Sequence, residues 1–125
     1  MFSRIIKARE LLKGYANITP VMTSETLNNL VGASVYLKCE NFQKIGAFKF
    51  RGAFNSISKL SDIEKSKGVV TYSSGNHAQA VALVGKMLNI KTTIVMPDNA
   101  PAIKLAATKG YGANVVEYVP ESESR

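Results

Sequence analysis

The run Gly68-Val69-Val70-Thr71-Tyr72-Ser73-Ser74-Gly75-Asn76-His77-Ala78-Gln79-Ala80 decides how this chain is read. Its first five residues, β-branched and aromatic after a glycine, predict a strand. Asn76 to Leu88 predicts a helix with Ala80, Leu83, Val84 and Met87 spaced for burial. The same alternation continues downstream. Lys91 to Met96 reads as a strand, Pro101 opens a helix running to about Thr108 that Gly110 ends, and Val115 to Val119 reads as another strand. Strands alternating with helices imply parallel topology with right-handed crossovers. The fold class is therefore α/β, an open parallel sheet flanked by helices.

Upstream, Ser61-Asp62-Ile63-Glu64 fits a capping box for a short helix ending at Gly68. Phe48 to Leu60 predicts a helix with Phe50, Ala53, Phe54, Ile57 and Leu60 on its apolar side. Val35 to Glu40 reads as a strand, and Ser24 to Leu30 as a short helix closed by Gly32. Ile18-Thr19-Pro20 is a turn and an extended segment. Ile5, Ala8, Leu12 and Tyr15 form one helical stripe. The basic start that contains them (Arg4, Lys7, Arg9, Lys13) has the charge of a transit peptide, but it has little serine and no processing signal, so it is read as a structural helix.

Composition narrows the classes. The 125 residues suit one domain, and 46% hydrophobic with 20% charged residues is ordinary for a folded chain. The single Cys39 excludes an internal disulfide framework and fits a reducing, cytoplasmic compartment. One His and one Cys do not build a protein-only zinc site, so no metal is expected. No apolar run approaches the ~20 residues of a membrane span. The net charge of +7 is dispersed rather than gathered into a basic block, so neither nucleic acid nor membrane is expected as a partner.

Two stretches carry candidate chemistry. In Gly46-Ala47-Phe48-Lys49-Phe50-Arg51-Gly52, a lysine sits between glycines beside an aromatic. A lysine that attacks a carbonyl is held close to its electrophile and partly desolvated, because burial frees the neutral amine; Phe48 would supply the dry wall or a ring to stack on. The alternative is a helix start with the Lys49 charge in water. In Ser73-Ser74-Gly75-Asn76-His77, unsatisfied N–H groups at a helix start attract anions and Gly75 permits close approach. The alternative is an ordinary strand–helix turn capped by Ser or Asn. No Gly-x-Ser-x-Gly elbow surrounds Ser74, and His77 lies too near on the same helix to act as its base. His77 is read instead as a loop-supporting or backbone-bonding residue. Gly110-Tyr111-Gly112 follows a helix, so it is a helix stop rather than a dinucleotide fingerprint.

The segment Glu40 to Ala53, with Lys49 at its centre, resembles the lysine signature of the pyridoxal-phosphate-dependent serine/threonine dehydratases. Ser73 to Ala80 resembles that family's asparagine loop, at the family's distance downstream, and the Thr19-Pro20 pair also matches. The resemblance covers nearly all of the chain from Thr19 onward. It implies fold type II, with residues 1–45 as the leading part of a larger domain and 46–125 as a smaller parallel α/β domain truncated at its C-terminal end. It implies pyridoxal 5'-phosphate held on Lys49 as a Schiff base, with Phe48 against a ring face and Asn76 on the cofactor's 3-hydroxyl. Ser73, Ser74, Gly75, Asn76 and His77 would meet the substrate. Lys49 would remove the α-proton, and β-elimination would turn threonine, serine or 3-hydroxyaspartate into a 2-oxo acid and ammonia.

Two activities stay open. In the racemase branch of the family, a serine matching Ser74 acts from the face opposite the lysine; dehydratases carry it too. The segment Ala100 to Thr108 is similar to the hydroxyaspartate dehydratase and racemase branch. The family's glycine-rich phosphate cradle and its partner for the pyridine nitrogen come later in longer chains, and no Gly-Gly run occurs here. The chain is therefore expected to be an amino-terminal fragment, inactive alone, and part of a homo-oligomeric enzyme. A non-catalytic remnant binding an anion or a partner protein is the alternative.

Overall fold

The computed structural model describes residues 1–124. The amphipathic start forms α1 (Phe2–Leu12). Tyr15, the last residue of the expected stripe, lies beyond the helix and stacks on Phe54 with ring centroids 4.3 Å apart. The strand β1 (Val21–Met22) is followed by α2 (Glu25–Val31), capped by the Ser24 side chain and closed by Gly32 in the left-handed region. The run expected as a strand over Val35 to Glu40 shrinks to β2 (Leu37–Lys38), antiparallel to β1. Glu40 leaves it because its carboxylate is drawn away by Arg51 and Thr19, and the chain turns through short 3-10 turns at Glu40–Phe42 and Lys44–Gly46.

The helix α3 (Lys49–Ile57) buries Phe50, Ala53, Phe54 and Ile57, as its apolar spacing requires, while Leu60 lies just past its end. Ser61 and Glu64 form a reciprocal capping box at the start of α4 (Asp62–Lys67). Then come β3 (Val69–Tyr72), α5 (Asn76–Leu88), β4 (Thr92–Pro97), α6 (Ala102–Gly110) and β5 (Asn114–Tyr118). The three strands are parallel in the order β3-β4-β5.

Two successive right-handed crossovers in the same direction put α5 and α6 on one face of this sheet. Thr92, Ile94 and Met96 point into that face and are buried. Val115 packs there too, and Glu117 reaches Lys109 of α6 at 2.9 Å. The core lies between this face and α3 with α5, and includes Phe50, Phe54, Val84 and Ile94. One expectation about α5 needs adjustment. Met87 is exposed, and Gly85 is buried instead, because a Cβ there would meet the Ile90 carbonyl at 2.9 Å and the Thr92 side chain. On the opposite sheet face Val70, Tyr72 and Val116 are exposed.

Candidate active site

Lys49 opens α3, directly after a strained passage. Ile45 has φ 60° and Gly46 φ 68°. The left-handed region is free for glycine but costs a β-branched residue of order 1–3 kcal/mol, so surrounding contacts must hold Ile45 there. The buried Gln43 supplies them on one side: its Oε1 accepts from Asn17 N at 2.9 Å and Lys44 N at 3.1 Å, and its Nε2 donates to Asn17 O at 3.0 Å. Beyond Lys49, the Arg51 guanidinium donates to both carboxylate oxygens of Glu40, from Nε and Nη2, at 2.8 Å each. Thr19 Oγ1 donates to Glu40 Oε1 at 2.6 Å, and Lys38 Nζ to Thr19 O at 2.7 Å.

These bonds set the charge states. The Glu40 carboxyl is lowered to about 2, chiefly by its hydrogen bonds from Arg51; burial opposes this, while the Thr19 bond and the charges of Arg51 and Lys38 help. The Arg51 guanidinium is raised correspondingly.

Lys49 itself is exposed, contrary to the expectation of a partly desolvated amine. Among the described residues its Nζ has no hydrogen-bond partner and lies 5.1 Å from the centre of the Phe48 ring. Phe48 is exposed as well, so it is a neighbour to the amine rather than a dry wall. Lys49, Phe48 and His77 line one cavity of about 510 Å³, with Ser56, Val70 and Thr71. Burial, helped by the Lys49 charge, pushes the His77 pKa down from its ordinary 6.5, which favours the neutral imidazole. His77 makes no hydrogen bond to the loop, so the supporting role expected for it is not what the geometry shows.

The second stretch turns from β3 into α5 with few bonds of its own. Gly75 N donates to Ser73 Oγ at 3.2 Å, and Ser73 N donates to Val95 O at 3.0 Å. No side chain caps α5, neither Ser nor Asn. Ser73 and Ser74 line a small separate cleft with Tyr72, Val95, Pro97 and Tyr118. Asn76 is exposed at the first position of α5 and lines neither space. The structure thus gathers Lys49, Phe48 and His77 into one cavity, and leaves Ser73, Ser74, Gly75 and Asn76 on its flank.

Two features escaped the sequence. The Lys104 side chain of α6 comes to Gly75, 3.2 Å from where a Cβ would stand, and puts a cation beside the loop. Glu40 and Arg51 pair across the lysine turn. Their opposite charges were visible, but a separation of eleven residues across irregular chain predicts no pairing. Among the described residues, no three His, Cys, Asp or Glu side chains gather as metal ligands. Among them, too, no helix is long and apolar enough to cross a membrane.

Comparison with known proteins gives these features a context. The family model described as "Pyridoxal-phosphate dependent enzyme" matches residues 12–125. L-threo-3-hydroxyaspartate ammonia-lyase of Saccharomyces cerevisiae is 56% identical over 124 residues, covering 99% of this chain and 38% of the yeast protein. Serine racemase of Schizosaccharomyces pombe is 54% identical over 117 residues, covering 94% of this chain and 36% of that protein. The crystal structure of serine racemase from Dictyostelium discoideum superposes with a TM-score of 0.93 at 46% identity, covering 100% of this chain and 41% of that one. The chain spans well under half the length of each of these proteins.

Proposed function

This chain belongs to the pyridoxal-phosphate-dependent enzyme family, and from that premise we propose that it carries the lysine-bearing part of an ammonia-lyase acting on a hydroxy amino acid. Its substrate is threonine, serine or 3-hydroxyaspartate. The observation that carries the reading is the Lys49 amine, without a hydrogen-bond partner among the described residues, in a cavity beside an aromatic ring and the His77 imidazole.

The donor set fits the cofactor. Lys49 offers a primary amine, Phe48 a flat apolar surface, and the cavity of about 510 Å³ has room for a small ring. Lys49 and Phe48 would hold it in this cavity, while Asn76, which does not line it, is assigned to the cofactor by the family resemblance alone. When bound, it supplies an aldehyde and an electron-withdrawing ring. Lys49 Nζ, once neutral, accepts the substrate's α-proton. The Ser73 and Ser74 hydroxyls and the loop N–H groups bind the substrate carboxylate. Burial and the neighbouring Lys49 charge lower the His77 pKa, which favours an uncharged imidazole beside the amine.

Residues 1–45 we read as the leading part of a larger domain and 46–125 as a smaller one; the separate β1-β2 and β3-β4-β5 sheets support that division. The exposed Val70, Tyr72 and Val116 support a homo-oligomeric or larger assembly. The lone Cys39, a free thiol, supports a cytoplasmic setting. Serine racemisation is the second reading, favoured by Ser74 in the loop.

Cofactor titration, borohydride reduction and peptide mapping test the proposal. A reduced adduct concentrated on Lys49 is expected, with negligible 2-oxo acid from threonine or serine by this chain alone. Adduct spread evenly over the lysines would overturn the assignment. In a longer protein containing this segment, Lys49→Ala should abolish turnover. Ser74→Ala should cut racemisation more than elimination if both occur.

A further inference from the structure

We propose that the Glu40–Arg51 ion pair is the positioning device for the Lys49 amine, an inference that rests on Lys49 being the cofactor lysine. Arg51 is two residues after Lys49 in the first turn of α3. At 3.6 residues per turn, the two side chains leave the helix about 200° apart, so residues at this spacing face opposite ways. Whatever holds Arg51 against the N-terminal arm therefore turns Lys49 toward the other side, where the cavity with His77 opens.

Arg51 is held firmly. Both oxygens of one carboxylate accept from it, and Nη2 also lies 3.4 Å from Asn17 O. A forked pair of this kind fixes orientation as well as distance. Glu40 is fixed in turn by Thr19 Oγ1, and Thr19, itself buried, by Lys38. No side chain caps α3, and among the described residues Lys49 has no hydrogen bond of its own, so the polar ties on this turn come from the pair and from Asn17 and Gln43 before it. The preceding Ile45-Gly46 passage is strained; Gln43 ties it by hydrogen bonds and Ile45 packs against the core. The pair is partly buried, with side-chain exposures of 32% and 18%, so water does not fully screen it. Neither Glu40 nor Arg51 lines the cavity; their effect on the amine passes through the helix.

The test reads the amine directly and needs no cofactor. Lysines of the 125-residue chain are reductively methylated with a 13C label, and the Lys49 methyl signal is assigned by comparison with Lys49→Arg. In the unsubstituted chain, a shift distinct from the exposed lysines is expected, from the Phe48 ring and the His77 cavity. Glu40→Gln and Arg51→Met should move that signal to the position of the free lysines, and Arg51→Lys should restore part of the difference. Thr19→Val, which leaves the ion pair itself intact, should give an intermediate value if Glu40→Gln does not fold.

A Lys49 signal unchanged in folded Glu40→Gln or Thr19→Val chain, whatever happens to the melting temperature, would show a purely structural pair and overturn the proposal. So would a Lys49 signal that matches the free lysines before any substitution. A parallel borohydride-trapping arm should show about a tenfold lower Lys49 adduct in Glu40→Gln, a modest fraction of what misplacement of a reacting group costs. Absence of Lys49 adduct in the unsubstituted chain would instead sink the cofactor reading, with the methyl signal still deciding the role of the pair.

Discussion

The two candidate turns are held in opposite ways. The lysine turn, residues 40–51, is bound by long-range polar contacts: Asn17 bonds Gln43 and Arg51, Thr19 bonds Glu40, and Lys38 holds Thr19. The loop at Ser73 to Asn76 has one local side-chain bond and otherwise takes its place from the strand before it and the helix after it. A turn that must hold strained backbone and an unpaired amine needs bonds from elsewhere in the chain. A turn at the C-terminal end of a parallel strand is positioned by the sheet itself, so this loop needs no more than the one local bond between the Gly75 N–H and the Ser73 hydroxyl.

The contrast can be broken most severely through what both turns share. Phe54 is buried between Tyr15 and Phe50, inside the core that joins α3 to α5. Phe54→Ala should cost about 3–5 kcal/mol, seen as a lower urea midpoint, and hydrogen exchange should accelerate around both turns together. Protection retained at either turn would mean that the two do not share one core.

Glu40→Gln should separate them. The forked pair is lost and the Arg51 charge remains; because both side chains keep some solvent contact, about 1–2 kcal/mol is expected rather than the full cost of a buried orphan. Amide exchange should rise at residues 17–19 and 43–51 and stay unchanged at 73–79. Equal acceleration at the second loop would remove the distinction.

Acid should act first through one turn and then through the other. The His77 pKa is lowered in the folded state, so its contribution is complete above 6.5 and falls as pH drops below that. Glu40, lowered from 4.5 to about 2, contributes fully above 4.5 and loses its contribution as pH falls toward 2. Chemical denaturation against pH should therefore show declining stability on acidification, with the lower window flattened in Glu40→Gln and the upper one in His77→Gln. A Glu40→Gln profile parallel to that of the unsubstituted chain would contradict the assignment.

Ser73→Ala should have the smallest effect. It removes one bond of 3.2 Å at an accessible loop, worth no more than about 0.5–1 kcal/mol. Faster exchange confined to the Gly75 amide is the expected result.

Local chemistry determines most of the elements. The period of the apolar residues set α3 and α5 within a few residues, the Ser61–Glu64 box set the start of α4, and Gly32 closed α2. Strand–helix alternation determined the parallel sheet, and the residues around Lys49 and Asn76 pointed to the family. Each of these rests on neighbours within a turn or a strand pair, so the order of residues contains the information.

Tertiary structure alone decided the rest. It shortened the strand at Leu37–Lys38, because Glu40 finds its partners at Thr19 and Arg51 and turns away. It left Met87 in solvent and pressed Gly85 against the Ile90 turn, since helical spacing gives a face but not what covers it. It brought His77 rather than Asn76 into the cavity with Lys49, and it left that amine exposed. These outcomes depend on which distant groups meet, and free energies of contact between distant segments are not written in the local pattern of either.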